Sequence, residues 1–116
     1  MIKMNRDNYV LVMGWMVTEL GLKGNELIIY AIIYGFSQVE GQHFKGSLKY
    51  LMKWTNLTKQ SVINCLNSLQ DKGYIKKHVK YVKGIKFCEY SCERVHRENQ
   101  SQEIIDLDAL MNALDN

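Results

Sequence analysis

The sequence predicts an α+β fold that is mainly α: a three-helix core, a β-hairpin after it, and a C-terminal accessory helix. Three observations predict it. Apolar residues recur with helical spacing from Asn25 to about Leu69. The period changes to 2 directly after Gly73. A last amphipathic stretch then follows a polar linker. Residues 1–97 read as one domain with an N-terminal arm, and residues 98–116 as an acidic linker and amphipathic helix.

Taken in order, Tyr9–Met13 (YVLVM) is β-rich and stops at Gly14, so it reads as a short strand or an extended arm. WMVTELGL supplies one or two helical turns. GNELIIYAIIYGFSQ is the longest apolar segment; Asn25 is placed to cap it and Glu26 suits its first turn. A helix apolar on nearly all sides is central to its domain or half-buried in a partner. GQHFKG reads as a turn with a very short strand. Ser47 is placed to cap a helix over about Leu48–Trp54, with Leu48, Leu51 and Met52 on one side. Thr55-Asn56-Leu57 breaks the pattern, Thr58 caps the next helix, and Gly73 suits the left-handed position that ends it.

The hairpin comes next. With Lys83-Gly84 as a two-residue turn, Val82 faces Ile85 and pairing runs outward. Ile75, Val79, Tyr81, Cys88, Tyr90 and Cys92 then share an expected core face. Lys76, His78, Lys80, Val82, Ile85, Phe87 and Glu89 share an exposed, basic one, with His78 opposite Glu89.

Composition narrows the function. At 116 residues the chain fits one domain with one modest core. No apolar run approaches the roughly 20 residues of a membrane span. The start, MIKMNRDNYV, has no apolar leader core, and the three Cys suit a reducing, cytoplasmic setting. Net charge is +3 but unevenly placed: residues 1–97 hold all 15 Lys and Arg against seven acids, which is +8, and residues 98–116 hold five acids and no base. A basic body with an acidic tail suits a polyanion partner, or a tail that touches the body.

The segment TNLTKQSVINCLNSLQDKGYI sharpens this. At 100° per residue, Val62, Leu66 and Leu69 centre one face. Gln60, Asn64, Asn67 and Asp71 centre the other, flanked by Ser61 and Ser68. Such a face is often merely solvated. Yet amides and hydroxyls both donate and accept, which is the chemistry that base edges in the major groove require. Two helices joined by a short turn, the second exposed, form a helix-turn-helix, whose second helix enters that groove N-terminus first. Lys76, Lys77, Lys80, Lys83 and Lys86 on the hairpin suit a phosphate backbone.

Helix, short strand, helix, turn, helix and two-stranded wing is the order of the winged helix-turn-helix. LMKWTNLTKQSVINCLNSLQDKGYIKK resembles that family's core segment. LKGNELIIYAIIYGFSQ is similar to the first helix of winged-helix domains in phage and plasmid replication initiators and replisome organisers of the DnaD-like group. The resemblance spans about Leu20–Cys92, and MarR- and GntR-type transcription regulators share its core. It implies double-stranded DNA binding, with replication initiation on a phage or plasmid-like element as the role it favours and a replication protein as a further partner. A small transcription repressor, or a winged helix used only for protein contacts, are the alternatives. Lys59, Gln60, Ser61, Asn64 and Asn67 are the expected base contacts. Lys45, Lys49, Lys53, Lys76, His78, Lys80 and Lys83 are the expected phosphate contacts. With Lys59 as the one base near the start of the recognition helix, a guanine-centred site is disfavoured.

Other chemistry finds little support. Cys88 and Cys92 lie four apart in a strand, unlike a zinc pair, so no metal or cofactor is expected. There is no Gly-rich phosphate loop, HExxH or GxSxG, and no enzyme is expected. His43, His78 and His96 read as surface residues. Trp15, Trp54, Tyr30, Tyr34 and Tyr50 fall at helical spacing and read as core rather than as platforms for single-stranded bases. In the tail, Ile104, Leu107, Leu110, Met111 and Leu114 form an apolar stripe on a segment too short to be a stable isolated helix. The stripe needs a surface: its own domain, a second copy or another protein. A homodimer on a two-fold DNA site is the first expectation.

Overall fold

The computed structural model describes residues 4–38 and 42–92. In chain order these form α1 (Gly14–Thr18), α2 (Gly24–Phe36), α3 (Leu48–Thr55), α4 (Lys59–Asp71), β1 (Ile75–Val82) and β2 (Ile85–Cys92). This is the winged α+β fold that the sequence implies. The expected terminal helix and its stripe lie outside the described residues.

The five residues Ile29–Ile33 of α2 are all buried, and α2 touches α1, α3, α4 and β2. Its uniformly apolar sequence thus matches a central position. Trp15, Tyr30 and Tyr50 are buried with it, and Tyr34 and Trp54 pack partly buried against them, so these aromatics build the core. Trp15 meets Tyr34 edge-on at 5.1 Å.

At the N-terminal side one sequence expectation is met and one changes. Tyr9–Met13 is an extended arm without strand pairing among the described residues; Val10 and Met13 pack on the core while Tyr9, Leu11 and Val12 face out. Asn25 does not cap α2. Left-handed Gly24 (φ 61°) turns the chain out of buried Leu22 straight into the helix, so the cap position falls on Lys23, whose side chain makes no cap bond.

The other signals fall where expected. Ser47 Oγ accepts from Tyr50 N at 3.3 Å, and Thr58 Oγ1 accepts from Ser61 N at 3.2 Å. Between these caps, Asn56 ends α3 in the left-handed region (φ 57°) and Thr55 Oγ1 accepts from Leu57 N. A short polar side chain tolerates that backbone better than most. Lys83 (φ 51°) and Gly84 (φ 78°) make the two-residue turn with both φ positive, which matches the twist of a hairpin. The register is the expected one, from Val82↔Ile85 to Ile75↔Cys92.

The very short strand is a single bridge. Phe44 pairs antiparallel with Tyr90, through Phe44 N to Tyr90 O at 2.7 Å and Tyr90 N to Phe44 O at 3.0 Å. It ties the base of the hairpin to the chain that enters α3. Gly46 follows so closely that a Cβ there would stand 2.6 Å from Phe44 Cε1. The Phe44 ring is fully buried and has nowhere to retreat. Gly46→Ala is therefore expected to cost about 1–3 kcal/mol by overpacking, read as a lowered thermal midpoint.

The hairpin departs from expectation beyond its base. Ile75, Tyr90, Cys88 and Cys92 do meet the core. Val79 and Tyr81, assigned to the same face, are 44% and 70% exposed. The strands run on past the body, so among the described residues the outer half has no core on either face. Glu89 departs in the opposite sense: assigned to the exposed face, it is buried.

Candidate nucleic-acid interface

Helix α4 is held from behind. Val62, Leu66 and Leu69 are buried against the body. Ser68 Oγ donates to Glu26 Oε1 at 3.1 Å, and Lys72 Nζ reaches the same oxygen at 2.7 Å. Ser68 thus leans inward towards α2 and is not a flank of the outer face. Burial, then the nearby Glu26 carboxylate, pushes the Cys65 thiol up.

In front, Lys59, Gln60, Asn64 and Asn67 are exposed, and Ser61 is half-buried. Their order along α4 puts Lys59 and Gln60 in the first turn, where the helix dipole is positive and suits a nearby phosphate. The row is internally ordered. Gln60 Nε2 donates to Asn64 Oδ1 at 3.0 Å, and Thr58 Oγ1 donates to Ser61 Oγ at 3.1 Å. The amide pair leaves Gln60 Oε1 as an acceptor and Asn64 Nδ2 as a donor, a combination an adenine edge can answer.

The lysines flank this row. Lys45 precedes α3, Lys49 and Lys53 lie on it, and Lys76, Lys80 and Lys83 lie on the hairpin; all six are exposed, as are Lys77 and Lys86. They are not equivalent. Lys80 Nζ is 3.4 Å from Glu89 Oε1, so its charge is partly committed within the protein. Lys76→Ala is the cleaner probe of backbone contact. It is expected to weaken binding to every duplex alike and to flatten the plot of log K against log salt by about 0.9, measured by titration at several salt concentrations.

His78 is not the plain surface residue expected. Half-buried, it shares a 2.7 Å hydrogen bond with Ser91 Oγ and stacks on His43 with ring centroids 4.0 Å apart. His43, also half-buried, donates from Nδ1 to Glu89 Oε1 at 3.1 Å. Glu89 therefore answers His43 and Lys80, and His78 answers Ser91, although His78 and Glu89 are the paired residues of the register. Sequence offered half of this cluster, the cross-strand pair; His43 joins it from a distant loop and left no local signal. Among the described residues, no group of three or more His, Cys, Asp or Glu is arranged to hold a metal ion.

Burial alone would raise the Glu89 carboxyl; the His43 hydrogen bond, then Lys80 and Lys45, outweigh it and hold the group below its ordinary range. A depressed folded-state value gives stability above the unfolded value, lost as pH falls through the folded one. Glu89→Gln is accordingly expected to flatten the acid limb of the melting temperature against pH, and to lower the midpoint near neutrality.

The sequence model of a family described as a helix-turn-helix domain matches residues 20–75, which hold α2, α3 and α4 and end on the first residue of β1. No curated protein matches the chain. Matched span, exposed second helix and hairpin together give the winged helix-turn-helix fold, an arrangement that suggests DNA binding. Among the described residues, no helix is long and apolar enough to cross a membrane.

Proposed function

We propose that this chain binds double-stranded DNA in a sequence-selective way. In this reading α4 lies in the major groove, reading bases through Lys59, Gln60, Ser61, Asn64 and Asn67. The wing lysines, with Lys45, Lys49 and Lys53, hold the backbone. The observation that carries the proposal is the exposed amide row of α4, held by an apolar face on the opposite side. Selection of bound duplexes from a random pool tests it. A defined site rich in A·T steps is the expected outcome, and an unenriched pool would refute base reading. An inverted repeat among the selected duplexes is the expected sign of two copies bound side by side.

The role in the cell follows from the resemblance. Replication initiation on a phage or plasmid-like element is the reading it favours, ahead of transcriptional repression. Selected sites that recur within an origin support the first; a single site overlapping a promoter supports the second.

One observation favours a protein-contact module instead. Val79, Tyr81, Val82, Ile85 and Phe87 are all exposed on the wing. Titration against random duplex at about 50 mM salt separates the readings, since the lysines give non-specific affinity there if the surface meets DNA at all.

A further inference from the structure

An apolar groove of about 460 Å³ runs between the N-terminal arm and the α2–α3 pair. Tyr9, Val10, Met13, Ala31, Tyr34 and Trp54 are among its walls. Nothing among the described residues fills it, and its arm side carries Tyr9 and Leu11, two of the most exposed large apolar residues of the protein.

We propose that this groove is the docking site of the chain's own C-terminal segment, residues 98–116, which lays Ile104, Leu107, Met111 and Leu114 against it. Four observations converge on that occupant. The first is where the described chain ends. Cys92 N donates to Ser37 Oγ at 3.2 Å. Ser37 stands between Phe36 and Gln38, both groove residues, so Cys92, the last described residue, lies at the groove's rim.

The second is reach. Residues 93–103 separate Cys92 from Ile104. Eleven residues of relaxed chain span roughly 18 Å, and about 36 Å at full extension, enough to return along a groove that starts beside Cys92. The third is chemistry: the stripe is aliphatic with one Met, and the groove offers aromatic and aliphatic walls. A groove of this size takes several such side chains.

The fourth is charge. Residues 98–116 hold five acids and no base. Residues 1–97, the body that holds the groove, carry a net charge of +8, so the acidic segment is drawn towards it. Attachment also favours the chain's own segment over that of a second copy. A short tether gives a local concentration in the millimolar range, far above that of dilute protein.

The proposal does not depend on DNA, and its test uses none. A photo-crosslinking benzoylphenylalanine placed at Tyr9 in the full chain, in an equal mixture of ¹⁴N- and ¹⁵N-labelled protein, is irradiated and mapped by mass spectrometry. Crosslinks to peptides of residues 98–116 within one isotopic chain are expected. In the full-chain variant carrying Leu107→Glu and Met111→Glu, their yield should fall at least tenfold, and Trp emission should shift to the red as Trp54 becomes wetter. Because the released segment is too short to stay helical alone, the far-ultraviolet signal should fall by no more than that segment's share, while the domain keeps its cooperative thermal transition. Mixed-isotope crosslinks would show exchange between copies and overturn the assignment. Crosslinks that never reach residues 98–116, or that the double variant leaves intact, would overturn it equally.

Discussion

Phe44→Ala is expected to destabilise the domain by about 3–5 kcal/mol, the largest loss of any single truncation proposed for this chain. The ring is fully buried. It meets Phe36 at 5.4 Å and Tyr50 at 5.9 Å, so it joins the end of α2 to the start of α3. Its backbone also holds Tyr90 through two hydrogen bonds. One residue therefore seals the core and anchors the wing. In a domain of this size each kcal/mol lowers the thermal midpoint by roughly 4–8 °C, so the loss is easily read by circular dichroism. Tyr81→Ala is the matching control. At 70% exposure on the outer wing, its removal should stay within about 0.5 kcal/mol of the parent. A small loss at Phe44, or a large one at Tyr81, would mean that the wing is held from its tip rather than from its base.

That contrast also shows what the sequence could and could not say. Caps, turns and register are short-range chemistry. Ser47, Thr58, Gly73 and the Lys83-Gly84 turn could each be read from a few neighbouring residues, and each falls where it was read. Burial along the wing is not local. A period of 2 assigns faces, but it is silent on how far the body extends beneath them, and the core ends before Val79 and Tyr81. Long-range electrostatics were illegible for the same reason. Glu89 looked like an exposed strand residue until His43 arrived from another loop. On α4, the helical period placed Gln60, Asn64 and Asn67 outward correctly, yet it could not show that Ser68 is drawn in by Glu26, 42 residues away in sequence.

Asn64→Ala is expected to weaken binding to the selected duplex by about 1–3 kcal/mol while leaving affinity for random duplex unchanged. The reasoning rests on position. Asn64 is exposed midway along α4, and Ala is the better helix former there, so folding should not suffer. The Gln60–Asn64 bond adds a second expectation. If the two amides read DNA as one unit, the double variant Gln60→Ala, Asn64→Ala should lose clearly less than the sum of the single losses. A coupling of about 0.5 kcal/mol or more in a double-mutant cycle is the signature. Lys76→Ala gives the opposite pattern, with equal losses on selected and random duplex. Equal losses for Asn64→Ala would instead place that amide on the backbone and move sequence reading away from α4.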